Sequence, residues 1–173
     1  MIKSILSLTL VFSMVFGFVP RCVSLNVSAA VVDEPVAQIQ TILLDGAIVN
    51  DAIVDRIQLK RANGTTEPAK IGALLFEKDE ITTGQGVSVN LRFTKANSED
   101  QIDVQVQEKS SARIGSLYTL FGRFFISGWG TFDTKTSYVR LGKRGTEFQV
   151  DVAADGSADV KVLRGEVEVE ECE

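Results

Sequence analysis

No histidine occurs anywhere in the 173 residues. That absence removes the usual general base near neutral pH and the commonest protein ligand for zinc. Mechanisms built on a serine or cysteine nucleophile with a histidine partner are excluded, which leaves carboxylate or lysine chemistry. No isolated carboxylate pair lies in an apolar stretch where burial would raise a pKa. The expectation is a protein with no catalytic residue, no metal and no cofactor. Cysteine is almost as scarce: Cys22 lies near the start and Cys172 is next to last. Nor is there an excess of positive charge, since 18 Lys and Arg face 23 Asp and Glu. Such a chain repels phosphate unless basic residues cluster, and no cluster is visible, so nucleic acid is not an expected partner. An internal apolar run long enough to span a bilayer is also missing, and no transmembrane span is expected once the N-terminal segment is gone.

What is present begins with that segment. Lys3 supplies a short positive start, and Ile5 to Val19 is an uncharged run carrying Leu6, Leu8, Leu10, Val11, Phe12, Val15, Phe16 and Phe18. At about fifteen residues it falls short of the roughly twenty needed to cross a bilayer, and Pro20 and Arg21 close it. Ser28, Ala29 and Ala30 offer a small-residue cleavage site. Residues 1–30 therefore read as a cleavable signal peptide, with a mature domain from Val31 to Glu173 in the periplasm or secreted. A cut one or two residues earlier fits equally well. Cys22 raises lipidation as an alternative, but Arg21 before it is bulkier than the small residue that acylation normally requires. Removal of Lys3 and Arg21 leaves the mature chain at a net −7. Only Cys172 then remains, so an intramolecular disulfide is excluded, and the residue reads as an exposed group on a chain end. About 140 residues suffice to bury a core without such staples.

After the leader, short alternating runs are broken by turn residues. Val87, Val89, Leu91 and Phe93 alternate with Ser88, Asn90 and Arg92; Ile102, Val104 and Val106 alternate with Asp103, Gln105 and Gln107. Phe148, Val150 and Val152 alternate with Glu147, Gln149 and Asp151. A period of two puts apolar groups on one face and polar groups on the other, the mark of half-buried strands. The end of the chain reads as a meander: Asp155-Gly156 predicts a two-residue hairpin turn, followed by Val160 and Val162, then Arg164-Gly165, then Val167 and Val169. Glu166, Glu168 and Glu170 alternate with those last valines and read as a solvated strand face. Residues 38–60 are ambiguous, because Val49, Ile53 and Ile57 recur at helical spacing. Gly46 and the β-branched Ile42, Ile48, Val49, Ile53, Val54 and Ile57 favour strands. The fold class expected is all-β, a single domain built as an elongated β-sandwich or a solenoid-like stack of short antiparallel strands.

Two strings carry a resemblance. Arg144-Gly145-Thr146-Glu147-Phe148 is followed, past a hairpin, by Val162-Leu163-Arg164-Gly165-Glu166-Val167. With Arg61-Ala62-Asn63-Gly64, Pro68-Ala69-Lys70-Ile71-Gly72, Asp79, Ile81-Thr82-Thr83-Gly84 and Gly122-Arg123, the chain resembles the FecR domain over about residues 39–170. Lys78 stands where that pattern has glycine before Asp79, and a different turn is expected there, because lysine does not accept φ > 0 cheaply. Thr134-Lys135 and Thr136-Ser137 replace a threonine–proline pair. The RGTEF string reads mainly as structural: Gly145 permits a bend or bulge, Thr146 starts a strand and Phe148 points inward. Two residues are candidate binding positions. Arg144 is a charged anchor, and Trp129, flanked by Gly128 and Gly130, is expected on a loop. Of the other aromatics nearby, Phe121, Phe124, Phe125 and Phe132, most are expected in the core.

The resemblance implies an exported, non-enzymatic sensing or binding module whose partner is a protein of the envelope, with a link to cell-surface signalling. It does not imply a complete membrane-spanning regulator, for want of the span. The competing expectation is a glycan- or cell-wall-binding protein that uses Trp129.

Overall fold

The computed structural model describes residues 34–171, apart from 50–54, 95–99 and the single positions 116, 130, 138 and 145. At 129, 131, 132, 139, 140, 142–144 and 171 only the backbone is described. The expected signal peptide, its cleavage site, Cys22, Ile53, Val54 and Cys172 all lie outside the described residues. These belong to one compact unit, Val32–Glu173. It is all-β: among the described residues there is no helix, and therefore none long and apolar enough to cross a membrane.

Fifteen strands form one continuous, curled and almost wholly antiparallel sheet with two halves. The first half holds β1 (Ala37–Leu44), β2 (Ala47–Val49), β5 (Leu74–Leu75), β7 (Val87–Thr94), β8 (Gln101–Val106), β13 (Glu147–Val152) and β14 (Ala158–Arg164). The second holds β3 (Ile57–Lys60), β4 (Thr66–Pro68), β6 (Glu80–Thr83), β9 (Ser111–Arg113), β11 (Thr131–Lys135), β12 (Val139–Arg144) and β15 (Val167–Glu171). Strand β10 (Tyr118–Trp129) belongs to both. Its start pairs with β9, and its remainder lies between β8 and β13.

Alternation decides which side chains meet. In β7, β8 and β13 every second residue is buried, and the registers align these residues into rungs across the first half. One rung runs Ile42, Val89, Val106, Phe124, Val150, Val160; the next runs Ile39, Leu91, Val104, Ile126, Phe148, Val162. Ile57, Leu59, Ile81, Ala112, Ile114, Leu117 and Leu141 from the second half join the same hydrophobic core. Where the ambiguous 38–60 stretch is described, it forms strands and turns and no helix. Asp45 (φ 50) and Gly46 (φ 82) make the two-residue β1–β2 hairpin ahead of the apparent helical stripe, whose Val49 and Ile57 lie in β2 and β3.

Strand β10 explains why the aromatics divide as they do. Leu117 and Thr119 are buried at odd positions, whereas Phe124 and Ile126 are buried at even ones. The change of phase falls at a register shift between Thr119 and Phe121 and at Gly122, whose φ of 106 is closed to ordinary side chains. Here the strand bends from one half of the sheet into the other. Phe121 is consequently 43% exposed, Phe125 half-buried and Phe124 fully buried. The expected core position therefore holds for Phe124 and is corrected for Phe121. The backbone of Phe132 lies in β11, and its side chain is outside the described set.

Three turns also differ from expectation. Lys78 does adopt φ 69, as the third residue of a turn closed by Asp79 N–H donating to the Phe76 carbonyl at 3.2 Å. The turn is locked by its neighbours: Lys78 N–H donates to the Ile114 carbonyl and Ile114 N–H to the Asp79 carbonyl. The Asp155-Gly156 turn has a three-residue loop, with Gly156 (φ 88) donating to the Ala153 carbonyl and Ala153 to the Ser157 carbonyl. Finally, β14 and β15 do not pair as a meander. β14 pairs with β13 and β15 with β12, so Arg164-Gly165-Glu166 carries the chain between the two halves.

Candidate functional site

Both Arg-Gly strings mark such crossings. After β12 the chain passes Arg144-Gly145-Thr146 into the first half; after β14 it passes Arg164-Gly165-Glu166 back into the second. The two are tied together, because the buried Thr146 hydroxyl donates to the Glu166 carbonyl at 3.2 Å. Glu147 pairs with Arg164, a bulge leaves Leu163 unmatched, and Phe148 enters the core opposite Val162. Gly145 is outside the described residues. Glu166, Glu168 and Glu170 are exposed, as expected of a solvated face. The valines alternating with them are poorly covered, with Val167 half-buried and Val169 54% exposed, because β15 lies at the margin of its half.

A second constellation is also architectural. Asp79 is buried and accepts from Arg61 Nη1 at 2.7 Å, Ala62 N–H at 3.1 Å and Phe76 N–H at 3.0 Å. Arg61 also binds Glu67 and the Leu74 carbonyl, and its guanidinium lies over the Phe76 ring. Burial works against the Arg61 charge, but hydrogen bonds to Asp79 and Glu67 outweigh it and raise the pKa further. Every polar group there is satisfied, so the cluster fastens the β3–β4 hairpin to the turn before β6.

The binding positions expected from sequence fall at one end of β10. Trp129 is the last residue of that strand, paired through its backbone with Gln101 instead of standing on a loop. Arg144 ends β12 opposite Thr131, two residues beyond Trp129. Their side chains lie outside the described set, so the structure brings the two backbones close without placing an indole or a guanidinium.

A concave surface lies at the other end of the first-half portion of β10, about 20 Å away along the extended strand. This open groove of about 670 Å³ is lined by the Gln107–Lys109 turn, Gly122 and Arg123, Asp151–Ala153, and Ser157–Asp159. Its floor is the bend in β10. A side chain at Gly122 would fall within 2.5 Å of the Ser110 Cα, so glycine lets the β8–β9 turn close against the strand. Ser110 Oγ then accepts from Arg123 N–H at 3.0 Å, and Thr83 Oγ1 donates to the Gln107 carbonyl. Along the wall, Arg123 Nε donates to Asp151 Oδ1 at 2.5 Å, while Gln149 Nε2 donates to the other oxygen at 2.6 Å. The hydrogen bond to Asp151, then its charge, raises the Arg123 pKa, so the guanidinium stays ionised. Glu108 caps Gly86 N–H at 2.7 Å, and Lys109 adopts φ 53.

The groove thus presents Glu108, Lys109, Arg123, Asp151 and Asp159, charges of both signs held on fixed backbone and open to water. Such an array can recognise a polar segment of complementary charge. Among the described residues no group of three acidic or cysteine side chains could hold a metal. Sequence reading found Gly122-Arg123 but not the groove, since its walls come from turns far apart in the chain. No family model, curated protein or solved structure matches this chain.

Proposed function

We propose that this chain is an exported, non-enzymatic FecR-like binding module that makes protein contacts in the cell envelope, in the periplasm or after secretion, as part of cell-surface signalling. The groove beside Arg123 carries the reading. It is open, and in it Arg123 and Asp151 hold each other, Gln149 holds Asp151 and the Gly86 amide holds Glu108, so these three charges are held ready for a partner at little entropic cost. An extended polypeptide segment with charges of both signs is the occupant that fits it. The two tied Arg-Gly crossings support the FecR-like part, because they give the paired strings one structural purpose.

The test places a photo-crosslinker at Lys109 in cells expressing the full sequence and looks for a discrete protein adduct in the envelope fraction. The adduct is expected at Lys109, absent when the crosslinker sits at exposed Ile48, and lost with Arg123→Glu. Cleavage near Val31 is read from the N-terminus of the same material. Retention on peptidoglycan that disappears with Trp129→Ala, without an adduct at Lys109, would replace this reading with the glycan-binding one. An uncleaved cytosolic product would remove the envelope from it.

A further inference from the structure

Strand β14 ends the first half of the sheet, and among the described residues its only strand neighbour is β13. The outer backbone edge is therefore open to another strand. Its side chains show a rung cut short. Val162 stands in line with Leu91, Val104, Ile126 and Phe148, all buried, yet it is itself 45% exposed. Position 160 is similar in kind, half-buried at the end of the rung that contains Phe124.

The sequence of this edge is Ala158-Asp159-Val160-Lys161-Val162, in which opposite charges flank Val160 at equal spacing. Two such strands laid antiparallel keep their apolar faces aligned only when like-facing positions oppose each other. A twofold axis through Val160 meets that condition and sets Asp159 against Lys161 of the second copy, Lys161 against Asp159 of the second copy, and Ala158 against Val162. An axis through Lys161 sets lysine against lysine, and one through Asp159 sets aspartate against aspartate. Only the first is favourable by charge.

A second observation points the same way. Within one chain Asp159 lies directly across from Asp151, a like charge. Asp151 is already engaged by Arg123 and Gln149, whereas among the described residues neither Asp159 nor Lys161 has an ion-pair partner. A countercharge from a second copy relieves that contact.

We propose that two copies of this chain associate through β14, antiparallel about a twofold axis at Val160, and carry the sheet across the dimer. Because the same edge is used on both sides, assembly stops at two. The edge shares Ala158 and Asp159 with the wall of the groove, but the inference does not rest on what the groove binds.

The experiment expresses the full sequence, purifies the processed product in reductant so that Cys172 cannot crosslink copies, and measures mass by sedimentation equilibrium over a concentration series. The mass is expected to rise toward twice that of the monomer. Lys161→Asp and Asp159→Lys, both at exposed positions, are each expected to weaken association by at least about tenfold. Mixed one to one, the two variants should recover the dimer, since each then meets its opposite charge. A monomer at every concentration, a dimer indifferent to both substitutions, a mixture that fails to reassociate, or growth beyond two copies would each overturn the proposal.

Discussion

Lys78 carries a left-handed backbone in the third position of a type II turn, where a Cβ costs about 1 kcal/mol and glycine avoids the cost. The side chain is exposed, so nothing favourable is lost with it. Lys78→Gly is expected to raise stability by about 0.5–1 kcal/mol, read as a higher urea midpoint at unchanged slope. Thr146 is the opposite case, a small residue that matters through one atom. Its hydroxyl supplies a donor to the Glu166 carbonyl where the chain crosses back between halves. Thr146→Val keeps the shape and removes the donor, so a loss of about 1–2 kcal/mol is expected, with Thr146→Ser closer to wild type. Neither effect follows from residue type alone. Sequence shows that lysine dislikes φ > 0, but the bonds from Ile114 and Phe76 that hold it there are set by tertiary structure.

At the scale of elements, strands were legible because burial on one face enforces a period of two, as in β7, β8 and β13. Their partners were not. Whether Arg164-Gly165 turns a hairpin or crosses to another sheet depends on what holds Glu166, a contact twenty residues away in sequence. The Asp-Gly dipeptide makes the same point: at 45–46 it forms a two-residue hairpin, while at 155–156 it closes a three-residue loop in which Asp155 Oδ1 accepts from Ser157 N–H at 2.9 Å and from its hydroxyl at 2.7 Å. The β3–β4 hairpin repeats that loop with Asn63 accepting from Thr65. This gives an internal control for pH. The Ser157 hydroxyl and then its amide favour the ionised form and lower the Asp155 pKa. Its contribution is present above the ordinary carboxylate value and lost as pH falls through the lower folded one. The stability gap between wild type and Asp155→Ala should accordingly shrink below about pH 4, whereas the gap for Asn63→Ala should stay level, both read from denaturant midpoints. A level gap at Asp155 would show that the carboxylate does not sense its turn.

For the molecule as a whole, β10 is the member that the two halves share, and its bend at Gly122 forms both the joint between them and the floor of the groove. The candidate site was illegible in sequence for the same reason, since a concavity made where a strand changes sheets leaves no local pattern beyond one glycine. A joint of this kind couples the halves energetically, because residues from both pack into a single core. Gly122→Ala combines φ 106 with overlap against Ser110 backbone, for a cost of about 3 kcal/mol or more. The loss should fall on the entire domain. Far-UV circular dichroism, which follows all strands, and fluorescence of Trp129, the only tryptophan and at the far end of β10, should move to lower temperature together and keep one coincident transition. If the fluorescence transition stayed in place while the dichroism split into two, the halves would be separate folding units and the groove an interface between them.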